Sequence, residues 1–272
     1  MFARLQLIIL TCFLSAIFLG TFSVRAQADP IRGMDAYMAG DYATALEEWT
    51  KEANGGDPMA QYGLGLIYGR GHGVTQDYKE AAKWFTLSAR QGFHLAQTDL
   101  GAMYAQGDGV EQNYSEAKKW YTLAAEQGNA RAQYNLGIMF HKGEGMPENL
   151  TEAVRWYQEA ANQGYVNAQY NLGFMYSNGL GTAKSEPKAV EWWLLAADKG
   201  HLMAQFNLGK RYEEGLGVQK DLIHSYFWFN LAAKASEREV PIGAREKVAK
   251  SMTPEQIAEA QRLTQEWLEE HQ

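Results

Sequence analysis

The sequence is poor in cysteine, proline and positive charge, and each shortage narrows what the protein can be. Of its 272 residues one is cysteine, Cys12, and six are proline, whereas 27 are glycine. With a single thiol, the chain can form no intramolecular disulfide and no site of several thiolates. Lysine and arginine number 25 against 32 aspartates and glutamates, and the net charge of −7 argues against nucleic acid, which binds to basic surfaces.

Long hydrophobic runs are absent except at the N-terminus. Arg4 precedes an apolar run over residues 7–22, and Ala26 and Ala28 flank Gln27 in the pattern of a signal-peptidase site. The run of 16 residues is shorter than the roughly 20 that a spanning helix needs. Residues 1–28 are therefore predicted to be a cleaved signal peptide, with an uncleaved anchor as the alternative.

Removal of this segment would change the composition of the mature chain. The segment holds Arg4, Arg25 and Cys12 and no acidic residue, so cleavage takes the net charge from −7 to −9 and leaves no thiol. Such an exported chain has no integral membrane segment and depends on packing for its stability. We expect it in a bacterial periplasm, with release from the cell or a eukaryotic secretory route as alternatives.

A period of 36 residues runs through most of the remaining chain. Three features keep the same register: an Ala-Gln pair, a Leu-Gly pair and two glycines one residue apart, which begin in the first copy at Ala60, Leu64 and Gly71. Repeats of this length indicate stacked helical units that complete one another's core. Tryptophan recurs in the same register at Trp84, Trp120, Trp156, Trp192 and Trp228.

Each copy is predicted to form two helices. Apolar side chains on the first have the three-and-four spacing of a helix face, and the paired glycines end it. The tryptophan is predicted to lie in the core, on the second helix. In three copies the residue before the second helix is followed three positions later by glutamate, the pattern of a capping box. Those pairs are Asp77 with Glu80, Asn113 with Glu116, and Asn149 with Glu152; Ser185 and Asp221 keep only the cap.

These features predict an all-α fold, an α/α superhelical solenoid of helix-turn-helix repeats. A shorter unit at 29–57 precedes the repeats, and 237–272 is predicted to form capping helices, one of which begins with a capping box at Thr253. The five repeat units are predicted at 58–93, 94–129, 130–165, 166–201 and 202–236.

The order of Ala-Gln, Leu-Gly, paired glycines and tryptophan resembles the Sel-one-like repeat family, solenoids related to tetratricopeptide repeats, over about residues 58–236. The resemblance implies an adaptor, because family members mostly hold other proteins together, and several exported bacterial ones regulate envelope signalling or contact a host. It names no partner, since the repeat columns define the scaffold and function lies in the variable positions.

By analogy with tetratricopeptide repeats, the first helix of each unit is expected to line a concave groove. One interpretation is that the asparagines bond the backbone of an extended peptide while the aromatic side chains pack beside it. The other is that tyrosines and asparagines belong to the repeat pattern and brace adjacent helices. The side chains expected in the groove are Tyr62, Arg70, Arg131, Tyr134, Asn135, Lys142, Tyr170, Asn171, Phe174, Asn178, Phe206, Asn207 and Lys210.

Two Ser-x-x-Lys tetrads, at Ser115 and Ser185, resemble the first element of serine β-lactamases and penicillin-binding proteins. The lysine, hydroxyl residue and glycine of the third element are missing, and both serines lie at the start of a second helix, which favours capping. The six histidines show no metal-ligand spacing. We therefore predict no catalytic residue, no metal and no cofactor.

The predicted function is a non-enzymatic scaffold or adaptor in the bacterial cell envelope, which binds a partner protein or extended peptide through the groove. A hydrolase of cell-wall or β-lactam substrates is one alternative. A secreted host-interaction factor and a passive structural spacer are two others.

Overall fold

The computed structural model describes residues 30–236 and 239–271. The predicted signal peptide, residues 1–28, lies outside this range. Within it the chain forms fourteen α-helices and no strand. The helices are α1 (Pro30–Met38), α2 (Tyr42–Asn54), α3 (Pro58–Arg70), α4 (Tyr78–Arg90), α5 (His94–Gln106), α6 (Tyr114–Glu126), α7 (Ala130–Lys142), α8 (Leu150–Asn162), α9 (Val166–Asn178), α10 (Glu186–Asp198), α11 (Leu202–Glu214), α12 (Leu222–Ser236), α13 (Glu239–Ala249) and α14 (Pro254–Glu270).

Each helix packs mainly against its neighbours in the chain. The two helices of a unit contact each other, from α3 with α4 through α11 with α12, and each second helix also contacts the first helix of the next unit. No unit buries its apolar surface alone, so the stack shares one continuous core. The predicted all-α solenoid is confirmed.

The core repeats with the sequence. The leucine of every Leu-Gly pair is at most 1% exposed. A β-carbon on Gly137, the glycine of the third pair, would lie 2.5 Å from Cδ1 of Tyr157, so a larger residue would force the two helices apart. The same glycine-to-ring contact occurs in each unit: Gly65 with Phe85, Gly101 with Tyr121, Gly137 with Tyr157, Gly173 with Trp193, and Gly209 with Phe229.

The tryptophan column is less deeply buried than predicted. Trp120, Trp156 and Trp228 are buried, but Trp84 and Trp192 are only partly so. Each tryptophan packs against a cluster made by the second helix of the preceding unit and the first helix of its own unit. The column therefore joins units, and the aromatic residue that follows each tryptophan fills the centre of the unit.

The predicted caps are present at the C-termini of the first helices and at the N-termini of the second helices. Gly71 ends α3 in the left-handed conformation with φ of 69°, which residues with a β-carbon rarely adopt, and the equivalent glycines end α5, α7, α9 and α11. At the starts of the second helices a side-chain oxygen accepts backbone N–H groups of the first turn. These N-caps are Asp77, Asn113, Asn149, Ser185 and Asp221.

The capping boxes predicted at Glu80, Glu116 and Glu152 are wrong. In a capping box the glutamate accepts the N–H of the N-cap residue. Here the N–H of Asn149 donates to the carbonyl of Phe140 on the preceding helix at 2.9 Å, and Glu152 pairs with Arg155 at 2.9 Å. The other units repeat the backbone bond, so a contact between helices has taken the donor that the box would use.

Helix α14 begins with the predicted capping box. The hydroxyl of Thr253 accepts the N–H of Gln256, and the side chain of Gln256 accepts the N–H of Thr253. The helix covers α12, where Phe227 occupies the position that Arg155 holds in the third unit. Leu231 of α12 packs beneath α14 and is 2% exposed. Helices α13 and α14 therefore cover the apolar surface of the last unit.

Candidate functional site

The predicted groove residues lie on the first helices α3, α7, α9 and α11, and they share one surface. We call this surface the first-helix face: the columns that begin at Met59, Tyr62, Gly63, Leu66 and Arg70, which have the three-and-four spacing of one side of a helix. The aromatic and asparagine members, Tyr62, Tyr134, Asn135, Tyr170, Asn171, Phe206 and Asn207, are half-buried. The exposed members are Arg70, Arg131, Lys142, Phe174, Asn178 and Lys210.

A pocket of about 220 Å³ opens on this face where the first units meet. Tyr62 and Arg70 from α3, Asp99 from α5 and Arg131 from α7 line it. The structure therefore brings together three of the predicted residues, Tyr62, Arg70 and Arg131. The rest of the lining is mostly apolar or aromatic and includes Leu66, with Gln106 and Asp108 as further polar residues.

Asp99 links the parts of this pocket. Its Oδ2 accepts a hydrogen bond from the Tyr62 hydroxyl at 3.1 Å, and its Oδ1 accepts one from the Arg131 guanidinium at 2.5 Å. One carboxylate thus joins the first helices of three successive units. Burial, and then the negative charge of Asp99, raise the pKa of Tyr62 above its usual range, so the hydroxyl keeps its proton.

Sequence reasoning missed Asp99. It stands in the column of Asn135, Asn171 and Asn207, 36 residues before the first of them, and replaces their amide by a carboxylate. The first copy of the column has Gly63, so Asp99 is its single carboxylate, and that was the available signal. A carboxylate can hold an arginine and a tyrosine hydroxyl together, whereas a neutral amide binds the guanidinium more weakly.

The asparagines of the column lie half-buried beside tyrosine hydroxyls. Those are the contacts that the bracing interpretation expects, since all four pairs join successive units. Burial raises the pKa of Tyr134 and of Tyr170, and the asparagine bond opposes that rise. Peptide binding by these amides stays a prediction. The pairs are Asn135 with Tyr121, Asn171 with Tyr134 and Tyr157, and Asn207 with Tyr170.

The remaining predicted residues do not converge on a pocket. Phe206 packs against Phe229 with ring centroids 5.4 Å apart. Lys142 lies 3.5 Å from the Glu144 carboxylate, and the 38% exposed Phe174 accepts a bond from Asn178 at its backbone carbonyl. Together with Lys210 they extend the first-helix face across the later units.

The Ser-x-x-Lys tetrads have the geometry of helix starts. Ser185 caps α10 and accepts the N–H of Lys188 at 3.4 Å, as predicted. Ser115 is not itself the cap, because Asn113 accepts its N–H at 3.0 Å. The ammonium groups of Lys118 and Lys188 lie over the rings of Phe140 and Tyr176, at 5.3 and 5.2 Å from the centroids. These cation–π contacts favour a structural role for both lysines.

The histidines take part in packing and capping. His201 caps α11 by accepting the N–H of Ala204 at 3.2 Å, and its ring stacks on Tyr170 at 4.4 Å. Burial lowers the pKa of His94 and of His201. Over residues 30–236 and 239–271, no three metal-ligating side chains of the kinds His, Cys, Asp and Glu form a group. The helices of this described part include none with the length and apolar character needed to cross a bilayer.

Comparison with known proteins agrees with this architecture. The family profile described as Sel1 repeat matches residues 58–93, 94–129, 130–165, 166–201 and 202–237. Curated protein sequences give no match.

The solved structures that are similar to the chain include two described by their repeat fold. One is a Sel1 repeat protein from Oxalobacter formigenes, with 31% identity and a TM-score of 0.75 over 89% of this chain and 98% of that one. The other is c5321, a protective antigen of uropathogenic Escherichia coli that displays an SLR fold, with 26% identity and a TM-score of 0.52 over 90% of this chain and 70% of that one.

Sel1 repeat proteins generally mediate protein–protein interactions, and their scaffold is typically non-catalytic. The five matched repeats cover most of the described helices. The chain belongs to the Sel1 repeat family.

Proposed function

We propose that this protein is a non-enzymatic adaptor of the bacterial cell envelope that binds a partner protein through the first-helix face. The observation that carries the proposal is the pocket around Asp99, where Tyr62, Arg70 and Arg131 meet. The Arg131 side chain remains 44% exposed although it pairs with Asp99, so its other N–H groups can reach a partner.

The pocket suits an extended segment of another protein. An extended backbone presents both carbonyls and N–H groups, and the pocket has donors at Arg70 and Arg131 and an acceptor at Asp108. Leu66 and Met103 supply an apolar floor on which a side chain of the segment can rest. A few polar groups around an apolar floor are typical of ligand-binding pockets.

The outer edge of the face differs from unit to unit. The column of Arg70 changes chemistry in every copy, whereas the buried leucine column is uniform. A partner that runs across the face therefore meets a different side chain in each unit, which favours one register and one partner. The members of this column are Arg70, Gln106, Lys142, Asn178 and Glu214.

The envelope location rests on the N-terminal sequence, namely the apolar run over 7–22 and the small residues Ala26 and Ala28. Fractionation of cells that produce the full chain tests it. We expect a periplasmic product that begins at Asp29. A product that retains residues 1–28 and stays in the cytoplasm would contradict the location without affecting the binding face.

Site-specific photo-crosslinking tests the face. A photoreactive residue at Gln106, Lys142 or Asn178 should capture one and the same protein from envelope extracts. Lys83 and Lys119 are the control positions, because they are exposed on second helices, in the first and second units. Equal capture from the control positions would show that the first-helix face is not the binding surface.

The second arm of the experiment tests the pocket. Arg70→Glu reverses a charge at an exposed position and should lower capture at Gln106 by about tenfold if Arg70 contacts the partner, which corresponds to about 1.4 kcal/mol. Lys119→Glu is the control on a second helix. If Arg70→Glu leaves capture unchanged, the pocket is not part of the binding surface.

A further inference from the structure

A second opening, of about 570 Å³, lies where α14 packs on the last repeat units. We call it the C-terminal notch. It is lined by residues of α10, α11, α12 and α14, so it is separate from the pocket at Asp99. Its apolar lining residues are Leu194, Leu195, Phe227, Trp228, Leu263 and Trp267.

Leu195 is the accessible part of this apolar lining, since it is 49% exposed. Its equivalents Leu87 and Leu123 are exposed as well, at 44% and 39%. Only at Leu195 does α14 supply an opposite wall, which includes Trp267. An apolar side chain inserted there would be shielded from water on two sides, which a lone exposed leucine does not offer.

The acidic residues that line the notch are accompanied there by one histidine, His224. Asp198, Glu266 and Glu270 line it, and no lysine or arginine does so among the described residues. The Asp198 side chain is 67% exposed and lies 3.4 Å from His271 Nε2, while the half-exposed Glu266 pairs with Arg262. Glu270 is also exposed. The carboxylates can therefore meet a cation without first being released from a buried site.

We propose that the C-terminal notch binds a segment of a partner protein in which one large apolar side chain is flanked by arginines or lysines. The apolar side chain lies between Leu195 and Trp267, and the flanking cations pair with Asp198 and Glu270. The alkyl stems of arginine and lysine also pack on apolar surface, so such a segment matches both the lining and the rim. An acidic segment is repelled by the same carboxylates.

The test uses a short capped peptide with a central leucine between two arginines and serine elsewhere. It is titrated into the nitrogen-15-labelled protein, and the indole N–H signals of Trp228 and Trp267 are followed. We expect these two signals to shift in a saturable way. A peptide with glutamates in place of the arginines should bind about tenfold more weakly or not at all.

Two sets of variants locate the binding. Leu195→Glu should weaken binding by at least about tenfold, whereas Leu123→Glu, in the same column of another unit, should change it by less than about twofold. Asp198→Asn combined with Glu270→Gln should weaken binding about threefold to tenfold and reduce its dependence on salt. Because both residues are exposed, the double variant is expected to fold as the original protein does. It therefore tests the notch even if Leu195→Glu alters the melting temperature.

Three results overturn the proposal. They are the absence of a saturable shift at Trp228 and Trp267, equal affinity for the arginine and glutamate peptides, and equal loss of affinity in Leu195→Glu and Leu123→Glu. None of these results depends on the first-helix face, because the notch and the pocket at Asp99 share no residue.

Discussion

The ring of Tyr157 lies against the backbone of Gly137, where a β-carbon on the glycine would be 2.5 Å from Cδ1 of the ring. Tyr157 is 1% exposed, so the contact is at the centre of the third unit. Because each unit repeats the pair, the separation of its two helices is set by a missing side chain on one helix and a ring on the other.

Gly137→Ala is therefore expected to destabilise the protein by about 1 to 3 kcal/mol, as overpacked cores do. Urea denaturation of the purified protein measures the free energy of unfolding. Gly243→Ala is the matched control, since Gly243 lies in α13 and a β-carbon added there would approach no neighbouring side chain within 4 Å. It should be neutral or stabilising by up to about 1 kcal/mol. Equal losses in the two variants would contradict the close contact.

Trp156→Ala should cost about 3 to 5 kcal/mol, because it removes a buried ring from a cluster between two units. Trp192→Ala should cost clearly less, since that ring is only partly buried. Thermal and urea unfolding of both variants give the comparison. If Trp156→Ala leaves the melting temperature unchanged, the column does not join the units as described.

Two residues at the start of α8 are expected to contribute differently to the stability of the protein. Asn149→Ala should destabilise the protein by about 1 kcal/mol, because the amide oxygen accepts the N–H of Glu152 at 3.1 Å. Glu152→Ala should cost at most about 0.5 kcal/mol, since its carboxylate is in a surface ion pair with Arg155. If unfolding measurements show a similarly large loss of stability in both variants, the capping box is formed after all.

Two buried tyrosines predict a loss of stability in alkaline solution. Burial raises the pKa of Tyr121 and of Tyr157 above the value near 10 of the unfolded chain. Their stabilising contribution is complete below about pH 10 and falls as the pH rises further, because the unfolded chain then loses the phenolic protons more readily.

Unfolding free energies measured between about pH 9 and 12 check this expectation. Tyr157→Phe should reduce the slope of the free energy of unfolding against pH above about pH 10. Tyr78→Phe is the matched control, because its ring is 43% exposed. A slope that does not change in Tyr157→Phe would mean that this hydroxyl does not resist ionisation in the fold.

Much of the fold could be predicted because its elements are local and repeated. The glycine turns, the N-caps and the buried leucines are properties of a few neighbouring residues, and the 36-residue period shows them five times. The capping boxes failed for the opposite reason. The N–H of Asn149 bonds Phe140, a residue of another helix, and a pattern of four consecutive residues carries no information on that competitor.

The site was less predictable than the fold. Tyr62, Arg70 and Arg131 could be assigned to one face from helical spacing, but their meeting at Asp99 depends on how three first helices stack. The contacts of the asparagine column could not be predicted from the sequence either. Its amides are compatible with a peptide or with a tyrosine hydroxyl, and only the approach of successive units places Tyr134 beside Asn171.

The sequence by itself determined the repeat length, the all-α class, the ends of the helices and the leucine core. These follow from backbone preferences and from the period of apolar residues, which act within one unit. Only the tertiary structure decided which aromatic column fills each unit, which oxygen receives each N-cap N–H, and where the pocket and the C-terminal notch open. Those features depend on contacts between separate helices, and the distances between the helices are set by packing.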